Sequence, residues 1–433
     1  MQTRNLWFLF LFLTYVHGGS NSLAQLCEKG IKNNPKIKGM SYRSSASASY
    51  YHQSIDQYKP HLNISGQYGL QNYDLSLRNY KGNTYNYQFS LKQPIYRAKL
   101  LEAIKDASAR KELSMFQAED EKAKLITQIL QVSVELTRQK KVIDILKKKV
   151  TLLEKAYENI KKKHRVKLVS GADAFQAQAR LQQSKSDLIS AKQAYGYNLY
   201  NLRLLTKYQD VEKYIRNLRF NVYGVEKAFK KANLVQIKRE VKNNTRIQLD
   251  RQSVKIAKIQ MGLRNSERAP DFDAVFSYGD NGGTIDMSTR QNDSRAMITL
   301  NFPIYQGGYV DDRVEEAKYL YLAAKEDAAN SRLNIQISLE KALENIKSGI
   351  ESSKAQKVAV EASKKYFDGM IQSYKNGAAS LTDAYLAESD YRDNQLKLIR
   401  SEADIFSSLA EVYYYIGKAD FKHIKTLQKK FLQ

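Results

Sequence analysis

The chain has 433 residues and carries 70 Lys and Arg against 45 Asp and Glu, a formal charge of +25 at neutral pH. Its 5 Pro and 20 Gly are few for this length, which permits long unbroken helices. A single cysteine, Cys27, excludes an internal disulfide. The basic residues spread along helical segments, with no zinc-ligand spacing and no aromatic RNP-type run, so no nucleic-acid partner is expected.

The first element is a targeting signal. One positive charge precedes an apolar run from Leu6 to Val16, and the small residues of His17-Gly18-Gly19-Ser20 come next. This outlines a secretory signal peptide over residues 1–19, with cleavage near Gly18 to Ser20. The run is short for a membrane span. Lipidation at Cys27 is disfavoured, because Leu26 stands where a small residue is usual. No later run reaches the length of a transmembrane helix, so the exported chain is either soluble or a β-type membrane protein.

The exported chain is a tandem repeat, over residues 20–207 and 245–417. One offset carries Pro60 onto Pro270, Tyr68 onto Tyr278, Gly69 onto Gly279, Asp173 onto Asp383, Ala177 onto Ala387 and Leu199 onto Leu409. Pro94 meets Pro303 at an offset one residue shorter. Each half reads as helix, strand, strand, long helix, turn, helix.

The strands are expected over about 60–73 and 83–96, then 270–279 and 295–305. Period-two alternation puts Tyr85, Tyr87, Phe89 and Leu91 on one face, and likewise Phe272 and Phe276, then Ile298, Leu300 and Phe302. These are the candidate lipid-facing residues. The stretches between strands, Tyr73 to Thr84 and Gly279 to Ser294, are polar and read as hairpin tips. Two interpretations fit the pattern: membrane-crossing strands, or a small half-buried sheet on a helical body. Under the first, four strands are too few to close a barrel, since eight is about the minimum. An open sheet in lipid leaves edge groups unbonded, so several chains must pool their strands.

The long helices are expected over 97–167 and 309–372. In the first, Leu125, Ile129, Val132, Leu136, Ile143, Leu146, Val150, Leu153, Tyr157 and Ile160 step by fours and threes, interrupted at Gln139. That is a heptad seam. Turns come after them, marked by Gly171 and Gly377, and then helices over 173–207 and 381–416. Residues 208–244 are a mixed basic segment of short helices, and 418–433 a basic C-terminal tail.

Catalytic constellations are missing. No two of the five histidines are close in sequence, and there is no phosphate-cradling Gly-rich loop or nucleophile elbow. Neither enzyme activity nor a cofactor or metal is expected.

Three stretches now carry a resemblance: "SLAQLCEKGIKNNPKIKG" from Ser22, "FPIYQGGYVDDRVEEA" from Phe302, and "YKNGAASLTDAYLAESDYRDNQ" from Tyr374. With the repeated strand-to-helix junctions, the chain resembles the TolC-like outer-membrane efflux proteins over nearly its whole exported length. The resemblance implies a homotrimer in the outer membrane of a Gram-negative bacterium. Its twelve-stranded transmembrane barrel would continue into a long periplasmic helical barrel. It also implies a passive duct of a tripartite efflux or type I secretion system, partnered by a periplasmic adaptor and an inner-membrane pump. On that pattern Pro94, Pro303, Gly307 and Gly308 mark the barrel-to-tunnel junctions. Asp383, Asp173 and Tyr374 match the periplasmic gate. Leu386 and Ala379 stand where the family carries an acid and an arginine, so strong cation block and one charged latch are in doubt. A plainer role for Asp173 and Asp383 is that of acids favoured at a helix N-terminus. The rival to the duct is an exported coiled-coil scaffold with no channel activity.

Overall fold

The computed structural model describes residues 22–75, 78–284 and 291–432. The signal-peptide assignment lies outside the described residues.

Two helices, α1 (Leu23–Asn33) and α2 (Pro35–Asp56), lead into the strands β1 (His61–Leu75) and β2 (Arg78–Arg97). The long α3 (Ala98–Arg165) and α4 (Gly171–Thr206) complete the first repeat. Three short helices come next: α5 (Glu212–Ile215), α6 (Val222–Lys231) and α7 (Leu234–Glu240). The second repeat is α8 (Thr245–Asn265), β3 (Asp271–Gly283), β4 (Gln291–Asn301), α9 (Tyr309–Lys375) and α10 (Leu381–Tyr415). Helix α11 (Phe421–Phe431) closes the described chain. At 1.5 Å per residue, α3 and α9 each reach roughly 100 Å.

The strands form one antiparallel sheet in the order β1-β2-β3-β4. Its register sets Ile64 beside Phe89 and Leu62 beside Leu91, with Leu91 in turn beside Phe276. Phe276 pairs with Ala296, Ala274 with Ile298 and Phe272 with Leu300. Cross-strand partners share a face, so one side of the sheet is apolar. Tyr85 stacks on Tyr87 with ring centroids 5.2 Å apart, and Phe89 meets Phe276 edge-on at 6.4 Å. Ile64, Tyr87, Phe276, Ile298 and Leu300 stand exposed there.

The strands run further than the hydrophobic alternation. Pairing continues through Asn72↔Lys81 to Leu75↔Arg78, and β3 reaches Gly283. The polar stretches expected as loops are thus partly strand, because a ladder needs backbone partners and not apolar side chains. β4 is also displaced from its expected span, starting at Gln291 and ending at Asn301. Phe302, expected on the strand, lies just beyond it and is exposed.

The two junctions differ. At Pro94 the chain does not leave the sheet: the register shifts between Pro94 and Tyr96, and pairing resumes to Arg97. A bulge accommodates the missing N–H of proline. Helix α3 then starts at once, at Ala98. In the second repeat Pro303 follows the end of β4, and Gly307 (φ 62°) and Gly308 (φ 84°) turn the chain through left-handed backbone into α9. Beside the first junction, Asp273 is buried and accepts a 2.8 Å bond from Arg97 Nε. It makes a second bond to the same guanidinium and lies 3.1 Å from Lys92 Nζ.

The main core lies midway down the helices. Leu125, Ile129 and Leu136 of α3 pack with Leu339 and Ile346 of α9 and Phe406 of α10. Leu23, Leu26 and Cys27 of α1 join them, as do Val222 and Val225 of α6. Burial pushes the Cys27 thiol up to about 12. The expected basic tail is a correction. Ile424, Leu427 and Phe431 of α11 are buried in this core, so the segment is an amphipathic helix with its lysines outward. Gln139, the break in the apolar seam, is itself buried, with Nε2 donating to Glu135 (2.9 Å).

Candidate functional site

The two helical hairpins end side by side, and each turn is built from its own sequence. In the second, α9 stops at Lys375 and Gly377 takes φ 77°. Gly377 N–H then donates to Tyr374 O (3.1 Å) and Ala378 N–H to Ser373 O (2.8 Å). This is the Schellman pattern, which satisfies the last carbonyls of the helix. In the first hairpin the same bonds run from Lys167 N–H to His164 O and from Leu168 N–H to Lys163 O, both 2.9 Å. The left-handed residue there is Lys167 (φ 59°), not Gly171. Gly171 is instead the first residue of α4. The substitution recurs at the other ends of the hairpins, where Lys207 (φ 49°) occupies the place of Gly417 (φ 70°).

Both returning helices begin with a capping box. Ser380 Oγ accepts from Asp383 N–H (3.1 Å), while Asp383 Oδ2 accepts from Ser380 N–H (3.2 Å) and Oγ–H (2.6 Å). Ser170 and Asp173 repeat this at 3.1, 3.2 and 2.7 Å. Each serine satisfies an orphan helix donor and each carboxylate faces the N-terminal dipole. The plainer role for the two aspartates is therefore present. Both nonetheless remain exposed at the tip.

Tyr374 reaches across. Its hydroxyl accepts from Lys163 Nζ of α3 (3.1 Å), and the same ammonium sits 5.1 Å from the ring centroid. A second cross-hairpin bond joins Thr382 Oγ1 to Gln176 Oε1 at 3.3 Å. Below these, Tyr385 is buried against Leu153, Ile160 and Leu181, and its hydroxyl has no hydrogen-bond partner among the described residues. Burial raises that phenol above its usual range. Lys163, Thr382, Gln176 and Tyr385 escaped sequence reasoning, since their partners lie some two hundred residues away. The signal for Asp173 and Asp383 was legible as Ser-x-x-Asp before each helix.

The surface around the tip is mixed. Val166, Leu168 and Phe175 are exposed on the first hairpin, at 65%, 74% and 73%. The basic last turn of α3, Lys162 to Arg165, flanks them. Among the described residues no helix is long and apolar enough to cross a membrane, and no cluster of His, Cys, Asp and Glu is arranged to hold a metal.

A family profile described as outer membrane efflux protein matches residues 26–206 and 237–418. The chain belongs to this family. The two matched blocks coincide with the two structural repeats, each holding one hairpin sheet and one helical hairpin. It is a family of outer-membrane efflux channels and not of enzymes, which places the protein in the outer membrane of a Gram-negative cell. Outer membrane protein TolC of Vibrio cholerae is 19% identical over 403 residues, spanning 92% of this chain and 91% of that one. Among solved structures, the CmeC outer membrane channel of Campylobacter jejuni superposes with a TM-score of 0.79 at 15% identity, covering 94% of this chain and 89% of that one. The open state of the Neisseria gonorrhoeae MtrE outer membrane channel gives 0.76 at 15%, covering 92% and 90%. At this identity the structures speak for the fold: a mainly helical chain with a small sheet and two repeats.

Proposed function

We propose that three copies of this chain form one passive exit duct, with each copy giving four strands to a twelve-stranded barrel. The observation that carries this is the sheet itself. It has two edges, β1 and β4, each paired on one side only, and one apolar face left exposed. In lipid the unpaired edges each cost several kcal/mol per unbonded group, and closure through neighbouring copies removes them. The polar face, with Asn63, Ser65, Gln88 and Ser90, then lines a wet bore.

The helices continue this wall into the periplasm. There, the exposed apolar residues Val166, Leu168 and Phe175 offer a seat for a periplasmic adaptor, itself joined to the inner-membrane pump that supplies the energy. Three copies of Asp383 gather near the axis as a carboxylate ring that favours cations, and the Lys163–Tyr374 and Thr382–Gln176 contacts hold the hairpins together. Adaptor binding opens the tip by favouring the state in which those contacts are broken.

Planar-bilayer recording of the purified protein tests this, using Asp383→Asn because Asn retains an acceptor for the capping box. Divalent block should weaken on the order of tenfold as the ring loses its charge. Unchanged block removes Asp383 from the gate, and an electrically silent protein removes the duct in favour of a scaffold.

A further inference from the structure

The two basic segments that frame the second repeat come together in space. The start of α6 is fastened to the end of α11: Asn221 N–H donates to Phe431 O (3.0 Å) and Asn221 Nδ2 to Lys430 O (3.3 Å). Gly224 permits this approach, since a Cβ there would stand 3.2 Å from Lys430 O. From this apex the two helices border an open groove of about 950 Å³. Six lysines line it: Lys227 and Lys231 from α6, and Lys422, Lys425, Lys429 and Lys430 from α11. All six are exposed, Lys429 has an interaction of its own, and among the described residues no carboxylate lines the groove. The acid of α6, Glu226, faces the other way, to Lys230 and Lys354, both at 2.7 Å. The acid that starts α11, Asp420, is taken by His423.

We infer that this groove is a docking surface for an acidic helical segment of a periplasmic protein. Three features select that occupant. First, so much like charge in one groove favours a multivalent anion, and lysines without any arginine suit dispersed carboxylates better than a single phosphate. Second, the groove is far from lipid headgroups. Glu226 of α6 pairs with Lys354, which lies roughly 65 Å along α9 from the sheet end of that helix at Tyr309. Third, the lysines repeat with the helix. Lys227 and Lys231 are four apart, and Lys422, Lys425 and Lys429 are three and four apart. Each row has the pitch of about 5.4 Å that an acidic helix with Glu at i, i+4 and i+7 presents. The stem-peptide carboxylates of a cell-wall polymer have no such fixed repeat. Neither the trimer nor the gate is needed for this docking.

The test is fluorescence anisotropy on the full detergent-solubilised protein with two labelled peptides of about twenty residues. One carries its glutamates on one helical face; the other has the same composition with them spread all round. The striped peptide should bind at least about tenfold more tightly, and binding should weaken with salt. The variant Lys227→Glu/Lys425→Glu should lose about tenfold or more, while Lys364→Glu/Lys365→Glu, an equal charge change on an exposed stretch of α9, should lose little. Circular dichroism checks that both variants are folded. Equal binding of the two peptides, equal loss in the two variants, or no binding overturns the inference. So does retention on purified cell-wall sacculi that the groove variant abolishes while the striped peptide does not compete.

Discussion

Removing one oxygen atom from the hairpin tip should release the gate. In Tyr374→Phe the ring stays, so Lys163 keeps its position 5.1 Å from the ring centroid, and only the 3.1 Å hydrogen bond disappears. A bond from a charged donor contributes about 1.5–3 kcal/mol when buried, and half-burial of this pair puts it near 1 kcal/mol. Three chains opening together lose about 3 kcal/mol, which shifts the closed-to-open ratio roughly a hundredfold. Single-channel recording reads this directly as open probability. Lys163→Met, which removes the cation as well, should shift it further, by about 0.5–1 kcal/mol per chain. Adding Tyr374→Phe to Lys163→Met should then change little, because the two residues act through one contact. If Tyr374→Phe gates like the wild type, the contact does not hold the tip shut. If the two substitutions act additively, they do not act through each other.

At the base of the sheet, Asp273→Asn leaves Arg97 and Lys92 without their counter-ion; with the lysine half-exposed, a loss of about 2–3 kcal/mol per chain is expected. It should appear as a lower temperature for dissociation of the detergent-solubilised oligomer, with secondary structure intact. Lys230 and Lys354 hold the Glu226 carboxyl down at about 2. A depressed carboxyl stabilises the fold above its unfolded value near 4.3, and that contribution is lost as pH falls through about 2. Wild type should therefore melt above Glu226→Gln at pH 6, and the gap should close between about pH 4.3 and about 2; a gap that persists below that window refutes the assignment.

Much of this architecture was legible because it rests on periodicity. Period-two alternation at Tyr85 to Leu91 and heptad spacing from Leu125 to Ile160 announce one-faced strands and a helix seam before any contact is known. The limits were equally physical. The outer ends of β1 and β2 continue the backbone ladder, so polar Asn72 and Lys81 looked like loop. Lys167 and Lys207 adopt left-handed turns where the second repeat uses glycine, and nothing in a lysine advertises φ > 0. In α11 the apolar residues Ile424, Leu427 and Phe431 are three and four apart among four lysines, so charge masked the core face. At the tip, Asp173, Asp383 and Tyr374 came from the family resemblance, whereas the Lys163–Tyr374 contact required the fold to bring distant residues together.

The claim beneath all of this is that neighbouring copies complete the sheet, β4 of one against β1 of the next. Within one chain β1 and β4 are opposite edges, three strand spacings or roughly 14 Å apart, too far for a disulfide. Cysteine pairs placed along β1 at Asn63, Ser65 or Gln67 and along β4 at Arg295, Met297 or Thr299 can therefore bond only between copies. Cys27, buried and with its thiol pushed up to about 12, should stay silent. Oxidation in outer membranes should give covalent dimers and trimers for pairs in register, and no larger species. Monomer alone at every register, or a ladder extending past three, would contradict the shared wall.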